Sequence, residues 1–137
     1  MRKLKKLLAV ASVAAMSLSL CACGGGKDKD TYTVGICQLV QHEALDAATK
    51  GFKDALVEEF GEDGIKFDEQ NAQGDANTCA TIINGFVSSD VDLILANATP
   101  ALQAAAAGTD TIPILGTSVT EYGVALEIPD FNGTVGR

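Results

Sequence analysis

The sequence predicts an α/β fold, a three-layer doubly wound parallel sheet, and three observations carry that expectation. Short β-branched runs alternate with helix-like stretches between residues 33 and 115. The run 91–96 is apolar at nearly every position, as in a strand covered on both faces. Hydrophobic residues make up 47% of the 137 positions and charged residues only 20%, so the chain can bury enough surface to offset its ordering entropy. That length limits the core to a single domain.

Each element has its own signal. Residues 33–39 are short, β-branched and free of proline, and read as a first strand. Residues 43–60 carry Leu45, Ala48, Phe52, Ala55, Leu56 and Phe60 at three- and four-residue spacing, a helical stripe ended by Gly61 and Gly64. A second strand starts at Ile65 and runs to about Asp68; Lys66, Asp68 and Glu69 place it at a sheet edge. Gly74 and Asp75 open a second helix whose expected buried side is Ala76, Cys79, Ala80, Ile83, Phe86 and Val87. Residues 91–96 form the central strand. Thr99 and Pro100 supply a hydroxyl N-cap and a proline at the first helical position, and residues 101–107 continue that third helix. Residues 112–115 make a fourth strand, with Pro113 tolerable near its start. Beyond Gly116 the pattern loses its period and reads as loop with one weak helix.

Strand and helix in this order imply right-handed βαβ units. In open sheets of this kind the ligand lies outside the carboxyl ends of the strands, where the strand order switches. The segments there are 38–42, 71–75, 97–99 and 116–120, which are largely uncharged and rich in amides and hydroxyls.

Charge divides the chain. Ten basic and eighteen acidic residues give a net charge of −8, which argues against nucleic acid as a partner. Four of the basic residues, Arg2, Lys3, Lys5 and Lys6, precede an apolar run from 7 to 20 that has the length of an export h-region and is too short to span a bilayer. Leu20-Cys21-Ala22-Cys23 fits a lipobox, with Cys23 as the lipidated residue and residues 1–22 as the lipoprotein signal peptide. Removing that segment leaves six basic against eighteen acidic residues, a net charge of −12. Residues 23–31, glycine-rich and then charged, read as a flexible tether, and 32–137 as the folded part. An ordinary cleaved signal peptide is the alternative. Lipidation and tether together imply a membrane-anchored, extracytoplasmic protein.

Four spaced motifs carry a resemblance. Val34-Gly-Ile-Cys-Gln-Leu-Val-Gln-His-Glu-Ala-Leu-Asp46, Asn71-Ala-Gln-Gly-Asp75, Ala96-Asn-Ala-Thr-Pro-Ala101 and Ile114-Leu-Gly-Thr-Ser-Val-Thr120 resemble the substrate-binding lipoproteins of ABC importers, in particular the tryptophan or tyrosine ABC transporter substrate-binding proteins. Glu43 departs from the family pattern, which has proline there. The resemblance implies a periplasmic-binding-protein-like type I fold with flavodoxin-like lobes, of which this chain would hold the N-terminal one, truncated before the second. It also implies a function: capture of a small solute, an amino acid with aromatic ones among the candidates, between two lobes that close over it, then delivery to a permease and its ATPase. A sugar or other small solute, or a ligand-sensing surface lipoprotein without transport, are the alternatives.

Resemblance and strand-end geometry together nominate Gln38, His42, Gln73, Asn97, Thr99, Thr117 and Ser118 as ligand-binding residues. Backbone N–H groups at the start of the third helix and around 117–120 suit an α-carboxylate, and Glu121 is a weaker candidate for an α-amino group. Structural roles compete at several positions. His42 sits where it would cap the first helix, Asn97 and Thr99 would organise a turn, and Gln73 would solvate a loop. Tyr122 is the one aromatic near the expected cleft, with a surface position as its alternative. Cys37 and Cys79 read as buried free thiols, since a disulfide would need their Cα atoms within about 7 Å across a sheet–helix interface. No metal-ligand spacing, phosphate-binding glycine loop or nucleophile elbow is present in the sequence, so neither a cofactor nor catalysis is expected.

Overall fold

The computed structural model describes residues 30–133. The expected export segment, Cys23 and most of the expected tether lie outside the described residues. Within them, eight elements alternate: β1 (Tyr32–Gln38), α1 (Glu43–Phe60), β2 (Ile65–Asn71), α2 (Ala76–Ser88), β3 (Leu93–Asn97), α3 (Thr99–Gly108), β4 (Ile114–Thr117) and the short α4 (Tyr122–Ala125). All strand pairs are parallel and the order is β2-β1-β3-β4. The chain therefore winds one way from β1 to β2 and the other way through β3 to β4. This is the expected doubly wound sheet, with its switch point between β1 and β3.

Alternation along the strands divides the core into two layers. Val34, Ile36, Ile65 and Leu95 face α1, where Phe52, Leu56 and Val57 pack on them. Cys37, Ile94 and Ala96 face the other way, toward Cys79, Ile83 and Phe86 of α2 and Ala101, Leu102 and Ala105 of α3. The small side chains of α3 allow it to approach the sheet closely. Gly35 serves the same end on β1, because a Cβ there would lie 2.6 Å from the Phe86 ring.

Several boundaries differ from the sequence expectation, each for a local reason. β3 starts at Leu93 because the two residues before it turn the chain: Val91 N–H donates to the Phe86 carbonyl, and the Asp92 carboxylate accepts from Thr33 N–H at 2.7 Å. β4 starts two residues late because Pro113 has no N–H to offer and Ile112 N–H is taken by Thr109 Oγ1 at 3.1 Å. β2 continues to Asn71, beyond Asp68, because β1 offers a paired partner at every position to Gln38.

Helix faces also need correction. Ala76, Ala80 and Val87 are exposed, and α2 buries only Cys79, Ile83 and Phe86. On α1, Ala55 and Phe60 are exposed, and the one fully buried residue is Thr49. A single helix covers that side of the sheet, packing over β1, β2 and β3, and Leu115 on β4 is consequently 48% exposed.

Cys37 and Cys79 are both fully buried free thiols, as expected from the sequence. Burial, reinforced by each thiol's proximity to the other, pushes the Cys37 pKa up to about 12, and burial raises that of Cys79. An unfolded cysteine ionises near about 8.5. The unfolded chain therefore loses protons first as pH rises, and the stability contributed by the neutral thiols is intact below about 8.5 and lost on the way to 12. Urea midpoints are expected to fall between pH 8 and pH 10.5 more steeply in the native sequence than in a Cys37→Ala/Cys79→Ala variant. Equal slopes would show that other groups govern the alkaline limb.

Candidate functional site

The switch point lies between the carboxyl ends of β1 and β3. Gln38 and Asn97 occupy it, as paired residues of adjacent strands. Both side chains emerge on the α1 side, by the same alternation that points Val34, Ile36 and Leu95 there. Asn97 is completely buried, Gln38 is 5% exposed and Thr49 of α1 is 3% exposed.

These three form a closed polar network. Thr49 Oγ1 donates to Gln38 Oε1 at 2.7 Å. Asn97 Nδ2 donates to Thr49 Oγ1 and to the Leu45 carbonyl, both at 2.9 Å, and lies 3.4 Å from Gln38 Oε1. Gln38 Nε2 donates to the Asp46 carboxylate at 2.6 Å and to the Val40 carbonyl at 2.9 Å. Asn97 Oδ1 is buried without a partner. Gln38 and Asn97, nominated as ligand contacts, are thus engaged in joining α1 to the sheet. Thr49 and Asp46 were not singled out from the sequence. The available signal was a threonine four residues after Leu45 and three before Phe52, a hydroxyl in the middle of an apolar stripe.

The remaining nominees line the rim above this network. His42, Gln73 and Ser118 are exposed, while Thr99 and Thr117 are half-buried. His42 caps α1, its Nδ1 accepting from Ala44 N–H at 3.2 Å. Gln73 turns the chain in a left-handed conformation, φ 55°, with its N–H donating to Asn71 Oδ1 at 2.8 Å. Thr117 is the last residue of β4, and Ser118 follows at φ 56°. Gly74 N–H donates to the Leu39 carbonyl at 2.7 Å, which ties the loop after β2 to the loop after β1.

Thr99 does not cap α3. The cap position belongs to Ala98, at φ 101° and ψ 160°, with no side-chain cap; Thr99 and Pro100 are already helical. This backbone region is nearly exclusive to glycine, and strain of this kind gathers at functional sites. The Thr99 hydroxyl, freed from capping, accepts from Thr120 N–H at 3.5 Å. Ala98 N–H donates to the Thr117 carbonyl at 3.0 Å. The β3 and β4 loops are thereby joined. Asp75 is a true cap: it accepts from Asn77 and Thr78 N–H and from the Thr78 hydroxyl, which together hold its carboxyl below the usual range.

Tyr122 and Glu121 are committed elsewhere. Tyr122 stacks on Phe131 with ring centroids 5.6 Å apart and donates to the Gly116 carbonyl at 2.9 Å. The Glu121 carboxylate caps α4 through Gly123 and Val124 N–H. The rim itself is an open face. A groove of about 490 Å³ between α1 and β2, lined in part by Gln38, Asp46 and Thr49, and a concavity of about 430 Å³ around Val124 and Phe131 are lined by none of His42, Gln73, Thr99, Thr117 or Ser118. Among the described residues there is no group of three or more His, Cys, Asp or Glu side chains able to hold a metal ion, and no helix long and apolar enough to cross a membrane.

A doubly wound parallel sheet with an uncharged polar rim outside its switch point defines a periplasmic-binding-protein-like α/β lobe. A family model described as ABC transporter substrate binding protein matches residues 33–134. The chain belongs to that family. It is 48% identical over 95 residues to a tyrosine-binding protein of Clostridioides difficile, covering 68% of this chain and 28% of that protein. Among solved structures, it is similar to a ligand-free, open substrate-binding protein with adhesive properties from Clostridium difficile, with 44% identity and a TM-score of 0.67 over 74% of this chain and 35% of that one. A Streptococcus pneumoniae domain in complex with L-Trp matches with 34% identity and a TM-score of 0.66, over 69% of this chain and 32% of that one. The chain therefore spans about a third or less of these relatives' length.

Proposed function

We propose that this chain is one lobe of an extracytoplasmic substrate-binding lipoprotein of an ABC importer, and that its rim contributes half of a site for an aromatic amino acid. The observation that carries the reading is the rim itself. Thr99 opens α3, whose N-terminus no side chain caps, and Thr117 and Ser118 follow at the end of the neighbouring strand β4, whose Thr117 carbonyl is bonded to Ala98 N–H; a helix N-terminus favours an anionic group. A carboxylate there suits an amino acid. Relatives named for tyrosine binding and crystallised with L-Trp favour an aromatic side chain. Lobe closure would bury the ligand, and the permease would recognise the closed form. Binding without catalysis fits this role. Lipidation at Cys23 would hold the protein at the cell membrane. A surface lipoprotein without transport is the second reading, supported by the relative described as adhesive.

Isothermal titration of the full-length protein is the test. L-tyrosine or L-tryptophan is expected to bind at micromolar concentration or tighter, and a Thr117→Ala/Ser118→Ala variant to lose about 3- to 30-fold, the worth of one or two hydrogen bonds. Binding of a sugar with no heat from any aromatic amino acid would reject the ligand assignment.

A further inference from the structure

We propose that Gln38, Thr49 and Asn97 are positioning residues for the rim: they set ligand affinity by fixing where the strand-end loops sit, without contacting the ligand. The proposal rests on the amino-acid-binding reading above and deepens it.

Three observations support it. The network ends on the rim's own supports. Gln38 Nε2 holds the Val40 carbonyl in the loop after β1, and Asn97 Nδ2 holds the Leu45 carbonyl, three residues past His42 in the first turn of α1. Asn97 also immediately precedes the strained Ala98, whose N–H is bonded to Thr117 and whose successor Thr99 receives Thr120. One set of side chains thus fixes the loop after β1 and the first turn of α1 directly, and is joined to the loops after β3 and β4 along the backbone, from Asn97 through Ala98. The second observation is burial. At 5% exposure or less, the three side chains are taken up by their bonds to one another, and what Gln38 and Thr49 do expose faces the groove between α1 and β2, which none of the rim residues lines. The third is chemical. Sealing α1 against the sheet needs only apolar packing, which Phe52, Leu56 and Val57 already supply further along the helix. A buried polar network brings directional bonds, which orient the groups they join in a way that apolar packing does not. Even the unpartnered Asn97 Oδ1 fits, because the amide is oriented entirely by what its Nδ2 bonds.

The experiment uses the full-length protein with Thr49→Val, which keeps the shape and removes the hydroxyl, and Thr49→Ser, which restores it. Thr49→Val is expected to weaken L-tyrosine or L-tryptophan binding about 10-fold at a temperature where the variant remains folded, and Thr49→Ser to return it to within about 2-fold. Wild-type affinity in Thr49→Val, even with a lowered Tm, would overturn the proposal. Should Thr49→Val not fold, Asp46→Ala at an exposed position removes one Gln38 bond; a loss of about 3-fold supports the proposal, and none overturns it. If the wild type binds no aromatic amino acid, the functional reading fails separately. Amide exchange of the ligand-free protein then decides: selective acceleration at residues 39–46 and 98–99 upholds the positioning role, while equal acceleration through α2 overturns it.

Discussion

Replacing Phe86 with alanine is expected to cost about 3–5 kcal/mol, the range for removing a fully buried aromatic ring. Phe86 is 1% exposed and is the largest fully buried side chain among the described residues. Its ring occupies the space above Gly35, so its removal opens a cavity that the backbone of β1 cannot fill. Ile83 and Cys79, one and two turns back on α2, are held by the helix and cannot swing into the gap. Against a typical total of about 5–15 kcal/mol, this single change would bring the domain near the edge of folding. The check is urea unfolding: the midpoint should fall sharply with little change in slope. A loss under about 1 kcal/mol would mean that α2 collapses onto the sheet.

The complementary change adds volume to the same contact. Gly35→Ala places a methyl group 2.6 Å from the Phe86 ring, closer than carbon atoms approach, with α2 on one side and the sheet on the other. Overpacking of this kind costs about 1–3 kcal/mol. Combining Gly35→Ala with Phe86→Leu should relieve the clash, so the double variant is expected to be more stable than the two single losses predict, with a coupling of about 0.5–3 kcal/mol. Additive losses would show that the ring is free to move and that Gly35 has no part in seating it.

Much of this fold was legible because its signals are local and redundant. The stripe 43–60 and the apolar run before Asn97 each name their element without reference to the rest. The site was legible only as far as topology reaches. The strand-end rule located Gln38 and Asn97 at the switch point, but whether a strand's last side chain points to the ligand or into a layer depends on register. The register buries both. Thr99 shows a different limit. A Thr-Pro pair has the composition of a cap and a first turn, yet the chain enters α3 one residue earlier through Ala98, a conformation with no sequence signature at alanine. The buried faces of α1 and α2 were overestimated because periodicity gives the direction of a stripe, whereas its width depends on how many layers press on it. For α1 only the sheet does.

The arrangement of β1 bears on how the protein is made. It is the first strand among the described residues and a central strand of the sheet, with Tyr32 paired to Ile65 on one side and Val34 to Leu93 on the other. Neither partner is near in sequence, so both pairings require long loop closures of the kind that slow folding. During translation the β1-α1-β2 unit can assemble first, while the second edge of β1 waits for β3. Through that interval Val34, Ile36 and Cys37 stay available to any other unpaired strand. The step most exposed to misassembly is therefore the docking of β3, and the time a nascent chain spends between those two pairings governs how much of it reaches the native sheet.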